Sequence, residues 1–211
     1  MTPPQNRGPS SDTADAVRAA HHQIGNSLQS VASLLRMESL LAPPTAAAVL
    51  SEAGRRVRTV MHLHQRLQSD GAAVRLDDLL GDICRDVSEL DPLDRKVELE
   101  IDVEPLWVSP RIASALAMIT AEWVGNALEH GLADRPGRIE VTLGSTPSGA
   151  CLVVADTGAG NRDGNWTPGF GTMLVSRLAD QLGACVERTA GRFGSRCELS
   201  FAGAGPEPTA P

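Results

Sequence analysis

Lysine is almost missing from this chain of 211 residues: Lys96 is the only one. A Walker A loop needs Gly-Lys-Ser/Thr, and a protein-kinase fold needs a strand lysine over the phosphates. Lys96 precedes an alternating segment, yet no G-x-G-x-x-G loop lies upstream of it. Any ATP must therefore be held by another route. Paired cysteines are also missing. Cys84, Cys151, Cys185 and Cys197 never fall at C-x-x-C spacing, which excludes zinc and dithiol redox motifs and leaves reduced, partly buried thiols. No apolar run reaches the ~18 residues of a membrane span. The polar, Pro-rich start from Met1 to Thr13 has no apolar stretch of the signal-peptide kind. A cytoplasmic protein without a membrane partner is expected. A basic excess is absent too: the net charge is −7 and the pI about 5.2, which argues against a nucleic-acid partner. Apolar residues make up 42% and charged residues 21%, the balance of a soluble globular chain. The length suits a small helical element plus one domain.

What is present divides at about residue 72. Residues 1–12 read as a disordered tail. Ser11 or Thr13 can cap a helix starting near Ala14. There Val17, Ala20, Ile24, Leu28, Val31 and Leu35 recur at spacings of three and four, one apolar stripe over five turns. Ala42-Pro43-Pro44 stops it. A second helix is expected from about Thr45 to Ser69, with a stripe of Leu50, Ala53, Val57, Val60, His64 and Leu67, closed by Asp70-Gly71. Residues 13–70 thus form an antiparallel hairpin. Alone it covers only part of each stripe, so a homodimer building a four-helix bundle is the natural solution.

Residues 73–202 change period. Leu76 to Glu89 reads as helix. Val97, Leu99, Ile101 and Val103 alternate with Glu98, Glu100 and Asp102, a strand with one wet face. Pro110 to about Leu132 reads as one long helix. Ile139 to Leu143 alternates again, and Cys151 to Ala155 is continuously apolar, as in a central strand. Gly171 to Leu182 reads as helix, and Cys185–Thr189 and Cys197–Phe201 as strands. The expected fold is α+β: a helical hairpin, then an α/β sandwich with helices on one face of a mixed sheet. Residues 203–211 read as a second disordered tail.

Three short motifs carry chemistry. Asp156 follows the central strand, where ligands approach an open sheet; its carboxylate can accept a hydrogen bond from an exocyclic adenine amine. Gly158 and Gly160 let backbone approach a base without a Cβ in the way. Gly169 and Gly171 precede a helix, whose N-terminal amides favour phosphate. Glu122, Asn126 and His130 lie one turn apart on the long helix and so share a face. The Asn126 amide oxygen can ligate Mg²⁺. Glu122 can hold a coordinated water or act as a base. Near the N-terminus, His22 lies off the apolar stripe, with Asp15, Arg18, Asn26 and Gln29. An exposed imidazole nitrogen there can attack a γ-phosphate.

Taken in order, Glu122-x-x-x-Asn126-Ala127-x-x-His130, Asp156-x-Gly158-x-Gly160 and Gly169-x-Gly171, with a helix through Met173-Leu174-Val175-Ser176-Arg177-Leu178-Ala179, resemble the Bergerat ATP-binding fold of DNA gyrase, histidine kinases and mismatch-repair ATPases. The resemblance covers about residues 73–202. It implies that Asn126 holds Mg²⁺, that Asp156 reads adenine, that His130 joins the nucleotide contacts, and that Gly158, Gly160, Gly169 and Gly171 shape the pocket and its lid. H-x-x-x-N-x-L-Q-x-x-x-S-L-L from His22 to Leu35 resembles the phosphoacceptor box of bacterial sensor-type histidine kinases, usually written H-R-x-K-N-x-L-Q. Arg56-Val57 and His64-x-x-Leu67 of the second helix fit as well. By this likeness His22 is the phosphorylated residue.

The chain departs from that pattern at three places. Glu129 stands where the family commonly has lysine beside the phosphates. Gln23 and Gly25 replace basic residues of the acceptor box, so proton removal from His22 falls to His21, Asp15 or water. The segment from Gly160 to Gly169 implies a small lid. The tail before residue 14 is too short for a sensor, so the expectation is either input from a separate sensor protein or no signal at all, the chain relaying phosphate.

The expected function is an ATP- and Mg²⁺-dependent histidine kinase that phosphorylates His22 and passes the phosphoryl group to a response-regulator receiver domain. The alternatives are a histidine phosphotransfer protein with a degenerate ATP domain and an anti-sigma-factor serine kinase, which Asn126-Ala-Leu-Glu-His-Gly131 also resembles but whose group lacks the acceptor hairpin. His64 and His62 read as structural.

Overall fold

The computed structural model describes residues 11–70, 73–89, 96–133, 135–160 and 169–202, and the chain divides into two compact units, Met1–Met61 and His62–Pro211. The tails expected at 1–12 and 203–211 lie outside the described residues, apart from Ser11 and Asp12. These two already belong to the first helix, α1, Ser11–Leu41. Ser11 and Thr13 are therefore inside the helix rather than capping it. Proline ends α1, and α2 follows at once as Pro44–Asp70. Pro44 occupies the first helical position, where its missing N–H costs nothing. Gly54 of α2 faces α1, where a Cβ would make an ordinary contact with Leu35 Cβ at 3.6 Å. On α1, Ala32 is buried and Leu28 and Leu35 half-buried, but Ile24 and Val31 of the same stripe are exposed, as is Val60 on α2.

The second unit takes in the last turns of α2. Leu63 and Leu67 pack on its core, and Arg66 pairs with Asp78 and Asp82 of α3, Leu76–Glu89. α3 runs over the expected residues because Leu76, Leu79, Leu80, Ile83, Cys84 and Val87 line one buried face, with Asp77 and Asp78 at its positive N-terminal end. Two short strands that the sequence pattern does not announce, β1 (Val74–Arg75) and β3 (Trp107–Val108), pair antiparallel beside α3, and Leu76 N–H donates to Leu106 C=O at 2.9 Å.

Among the described residues the main sheet has five strands: β2 (Val97–Val103), β4 (Gly137–Thr146), β5 (Gly149–Asp156), β6 (Cys185–Gly191) and β7 (Gly194–Phe201), in the order β2-β4-β5-β7-β6. β2 and β4 are parallel, with Val97 opposite Gly137; the other pairs are antiparallel. One face carries Ile139, Val141, Leu143, Leu152, Val154 and Leu199 into the core shared with the helices. The opposite face carries exposed Glu98, Glu100, Glu140 and Glu187. α4 (Pro110–Asn126) starts on Ser109, whose hydroxyl accepts from Ile112 N–H at 3.5 Å. α5 (Phe170–Leu182) ends on Gly183 at φ +62°, the left-handed turn that glycine adopts without strain. The fold is α+β: an antiparallel helical hairpin and an α/β sandwich with a mixed sheet.

One expectation needs correction. The long helix does not run unchanged to Leu132. α4 stops at Asn126, and a π-helical turn covers Ala127–Gly131, with Leu132 N–H donating to Ala127 C=O at 2.8 Å. Such turns insert one residue into a helix and concentrate at functional sites.

Candidate nucleotide site and phosphoacceptor helix

Asp156 is the last residue of β5, opposite Ile139 of β4. Where the strand ends, the ladder is prolonged: Thr157 N–H donates to Arg138 C=O at 3.0 Å, and Arg138 N–H donates to the Thr157 hydroxyl at 2.9 Å. This fixes the direction in which Asp156 leaves the sheet. Gly158 N–H then turns back onto Asp156 Oδ1 at 2.8 Å. Ser195 adds two donors, its backbone N–H and its hydroxyl. Burial pushes the Asp156 carboxyl above its ordinary value, and these hydrogen bonds oppose the rise without cancelling it. Ser195 carries no motif that marks it in sequence. Its only signal is Gly194, which holds φ +129° because a Cβ there would fall 1.8 Å from the Asp156 carbonyl oxygen.

The glycines after Asp156 do something other than expected. The space that a Cβ would take is filled by protein, not left open toward a base. At Gly158 it lies 2.1 Å from the Gly131 carbonyl oxygen; at Gly160, which holds φ +60°, it lies 1.7 Å from the Gly191 oxygen and 2.8 Å from the Gly194 oxygen. The loop is clamped between the π-helical turn and the β6–β7 hairpin. Gly169 flanks α5, its C=O accepting from Met173 N–H at 3.1 Å, and Gly171 is buried in the first turn. The lid expected between Gly160 and Gly169 lies outside the described residues.

Glu122, Asn126 and His130 differ in exposure. Glu122 is fully buried, Asn126 half-buried and His130 exposed, as is Glu129. The structure gathers Asp156, Gly158 and Gly160 against the far end of the π-helical turn, with Asn126 at its beginning. A hard amide oxygen at Asn126 suits Mg²⁺ that also keeps phosphates and waters. Asp156, half-buried with its oxygens held by protein donors, suits an adenine amine. Among the described residues no group of three or more His, Cys, Asp or Glu is placed to hold a metal by protein ligands alone.

On α1, His22 is exposed together with Gln23, Asn26 and Gln29, and His21 is half-buried. The Asp15 side chain lies outside the described residues. His64 is half-buried, and His62 Nε2 is 3.9 Å from Asp86 Oδ1. All four cysteines are free thiols; burial pushes Cys84 up to about 12 and Cys197 up to about 11. Among the described residues no helix is long and apolar enough to cross a membrane.

A glycine-clamped site on a mixed sheet in one unit, and a helical hairpin with an exposed histidine in the other, are the features of a Bergerat-type ATPase domain and of a histidine kinase helix pair. Residues 20–91 match the family model described as histidine kinase, and residues 100–193 match that described as histidine kinase-like ATPase domain. The chain belongs to the histidine kinase family. It is 30% identical over 177 residues to the sensor histidine kinase PdtaS of Mycobacterium tuberculosis, a match over 82% of this chain and 34% of that protein. It is 26% identical over 185 residues to the blue-light-activated histidine kinase 2 of Erythrobacter litoralis, over 82% and 53% respectively. The chain therefore spans about a third to a half of the length of these relatives. The histidine kinase domain of the Erythrobacter litoralis EL346 blue-light-activated kinase has the same fold, with a TM-score of 0.69 at 22% identity over 87% of this chain and 94% of that one.

Proposed function

We propose that this chain is a cytoplasmic, homodimeric protein-histidine kinase: His22 takes the γ-phosphoryl group of ATP and passes it to an aspartate on a response-regulator receiver domain. The observation that carries the reading is the Asp156 carboxylate, set at the end of the central strand by Gly158 and Ser195 in a domain of ATPase type. In this reading Asp156 accepts a hydrogen bond from the adenine amine, His130 and the glycines at 158, 160, 169 and 171 border the nucleotide, and Asn126 holds Mg²⁺. The metal supplies charge neutralisation at the phosphates. Glu122, buried one turn before Asn126, orients the metal's water or serves as base. An imidazole nitrogen of His22 bonds to the γ-phosphorus as the bond from that phosphorus to the β-bridging oxygen breaks; ADP leaves and the imidazole proton passes to His21 or water. The exposure of His22 and of Ile24 and Val31 on the same helix supports both an accessible nucleophile and a second copy over the stripe.

Incubation with γ-labelled ATP and Mg²⁺ tests this. Acid-labile, base-stable label on the wild type and none on His22→Ala is expected; label that survives in His22→Ala overturns the assignment. A second reading, a phosphotransfer protein that relays through His22 without ATP, is favoured by one observation: Glu129 is a carboxylate where phosphate charge would be met. Calorimetry with MgATP separates the two, since the relay gives no binding heat.

A further inference from the structure

We propose that Gly131 is a positioning residue that sets the orientation of the Asp156 carboxylate and thereby the preference for adenine. The inference rests on the reading of Asp156 as the adenine acceptor. Gly131 ends the π-helical turn and is buried. A Cβ there would stand 2.7 Å from Asp156 Oδ1, 2.9 Å from Cγ and 3.2 Å from Oδ2. The first two are shorter than real Cβ contacts show and the third is tight, so the carboxylate would have to move. The Gly131 carbonyl oxygen accepts from Ala159 N–H at 2.9 Å, and it lies where a Cβ of Gly158 would be. Neither Gly131 nor Gly158 is among the glycines with positive φ. Backbone conformation therefore does not demand glycine at either position; room does. Two glycines meet face to face, and the acceptor carboxylate occupies the space they leave.

The contact is also the place where the helix that bears Asn126 meets the loop that bears Asp156. The π-helical geometry brings the fifth residue after Asn126 against the carboxylate. With a methyl group at 131, the movable partner is the carboxylate end of Asp156, because the three nearest atoms all belong to that side chain. Turning it aside strips it from the donors at Gly158 and Ser195 and from any adenine amine. The phosphate end of the site, on the other side of the turn, is untouched.

Calorimetry on the whole chain with MgATP, MgGTP and Mg-tripolyphosphate reads this out. Gly131→Ala is expected to weaken ATP about tenfold and to flatten the ATP-over-GTP preference, with tripolyphosphate changed by no more than about twofold. In an Asp156→Ala background the same substitution is expected to change ATP affinity by less than about twofold, since the group it collides with is gone. Equal losses for ATP and tripolyphosphate, or a tenfold loss that persists without Asp156, overturn the role of Gly131. Should Asp156→Ala itself leave ATP binding unchanged, the adenine reading fails and this inference with it. A measurement on the wild type covers a Gly131→Ala chain that does not fold. Adenosine is expected to slow hydrogen exchange of the Ala159 amide, the donor to Gly131, by about fivefold or more. An unchanged rate with bound adenosine overturns the clamp.

Discussion

Leu152, Leu199 and Ile139 in the sheet domain are 0% exposed, whereas Leu34, Leu40 and Leu41 on α1 are 60, 75 and 86% exposed. The same residue type meets opposite surroundings in one chain. In the sheet domain, α3, α4 and α5 and the inner face of five strands pack into one core, and the exposed large apolar side chains there are few: Phe170, Met173 and Phe193 among the described residues. A two-helix hairpin has only one internal seam. Its remaining apolar surface is worth about 1.5–3 kcal/mol per fully buried large side chain once something covers it. The first unit is thus unfinished as a single copy and the second is complete. That difference suits a division of labour in which a stalk assembles and displays a nucleophile, and a rigid domain holds nucleotide.

The largest expected effect breaks the contrast from its buried side. Leu152→Ala removes a core side chain and leaves a cavity, which costs about 2–5 kcal/mol in a denaturant titration of the sheet domain. Leu41→Ala, the same change at an exposed position, is expected to shift the same titration by less than about 0.5 kcal/mol. A large shift for Leu41→Ala would show that the hairpin end is covered within one chain. The stripe on α1 is challenged directly by Val31→Asp. Burying a carboxylate in a helix-bundle seam is strongly unfavourable, so sedimentation is expected to show at least a tenfold weaker dimer (about 1.4 kcal/mol). Unchanged assembly would mean that the second copy does not cover this stripe.

Within the sheet domain, the candidate site holds a carboxyl whose titration is shifted by its surroundings. Burial raises the Asp156 carboxyl above 3.8. The ionised form is the acceptor for adenine, so ATP binding is expected to fall as pH drops toward a midpoint raised above 3.8. The stability of the empty domain runs the other way. A carboxyl whose folded value is raised is best tolerated when protonated, so stability is lost as pH rises from 3.8 toward the raised value. Asp156→Asn is expected to abolish the stability loss and to leave ATP binding weak and without that acid limb. An identical pH profile in Asp156→Asn would remove Asp156 from the site.

Regular elements were legible in the sequence because periodicity reports them. Leu76, Leu79, Ile83 and Val87 repeat every three or four residues, and Val97 to Val103 alternate, so α3 and β2 have the expected limits. The Asp156 loop was legible because a strand that runs straight into alternating glycines has few other uses. The π-helical turn was not, since Ala127 to Gly131 are ordinary in a helix and the deciding contact, Gly131 against Asp156, comes from another element. Ser195 was hidden for the same reason: it reaches Asp156 only because β7 pairs with β5. Two-residue strands such as β1 and β3 are too short to show a period. The purpose of Gly158 and Gly160 was misread because a sequence shows that a Cβ is missing but not what occupies its place.

The smallest effect probes the seam between the two kinds of region, the last turns of α2. These carry Leu63 and Leu67 into the sheet domain's core, and beside them Asp82 of α3 takes Arg66 and Arg85. Burial works to raise the Asp82 carboxyl, but hydrogen bonds and charge from Arg66 and Arg85 outweigh it and hold the group below 3.8. A depressed carboxyl contributes stability above its unfolded value and loses it as pH falls through the folded one. Asp82→Asn is therefore expected to destabilise the domain at neutral pH by no more than about 1 kcal/mol, because partly exposed pairs are screened by water and salt. The deficit should close below 3.8, as the wild-type carboxyl itself becomes protonated. A deficit that stays constant down to strongly acid pH would mean that Asp82 acts by packing and not by charge.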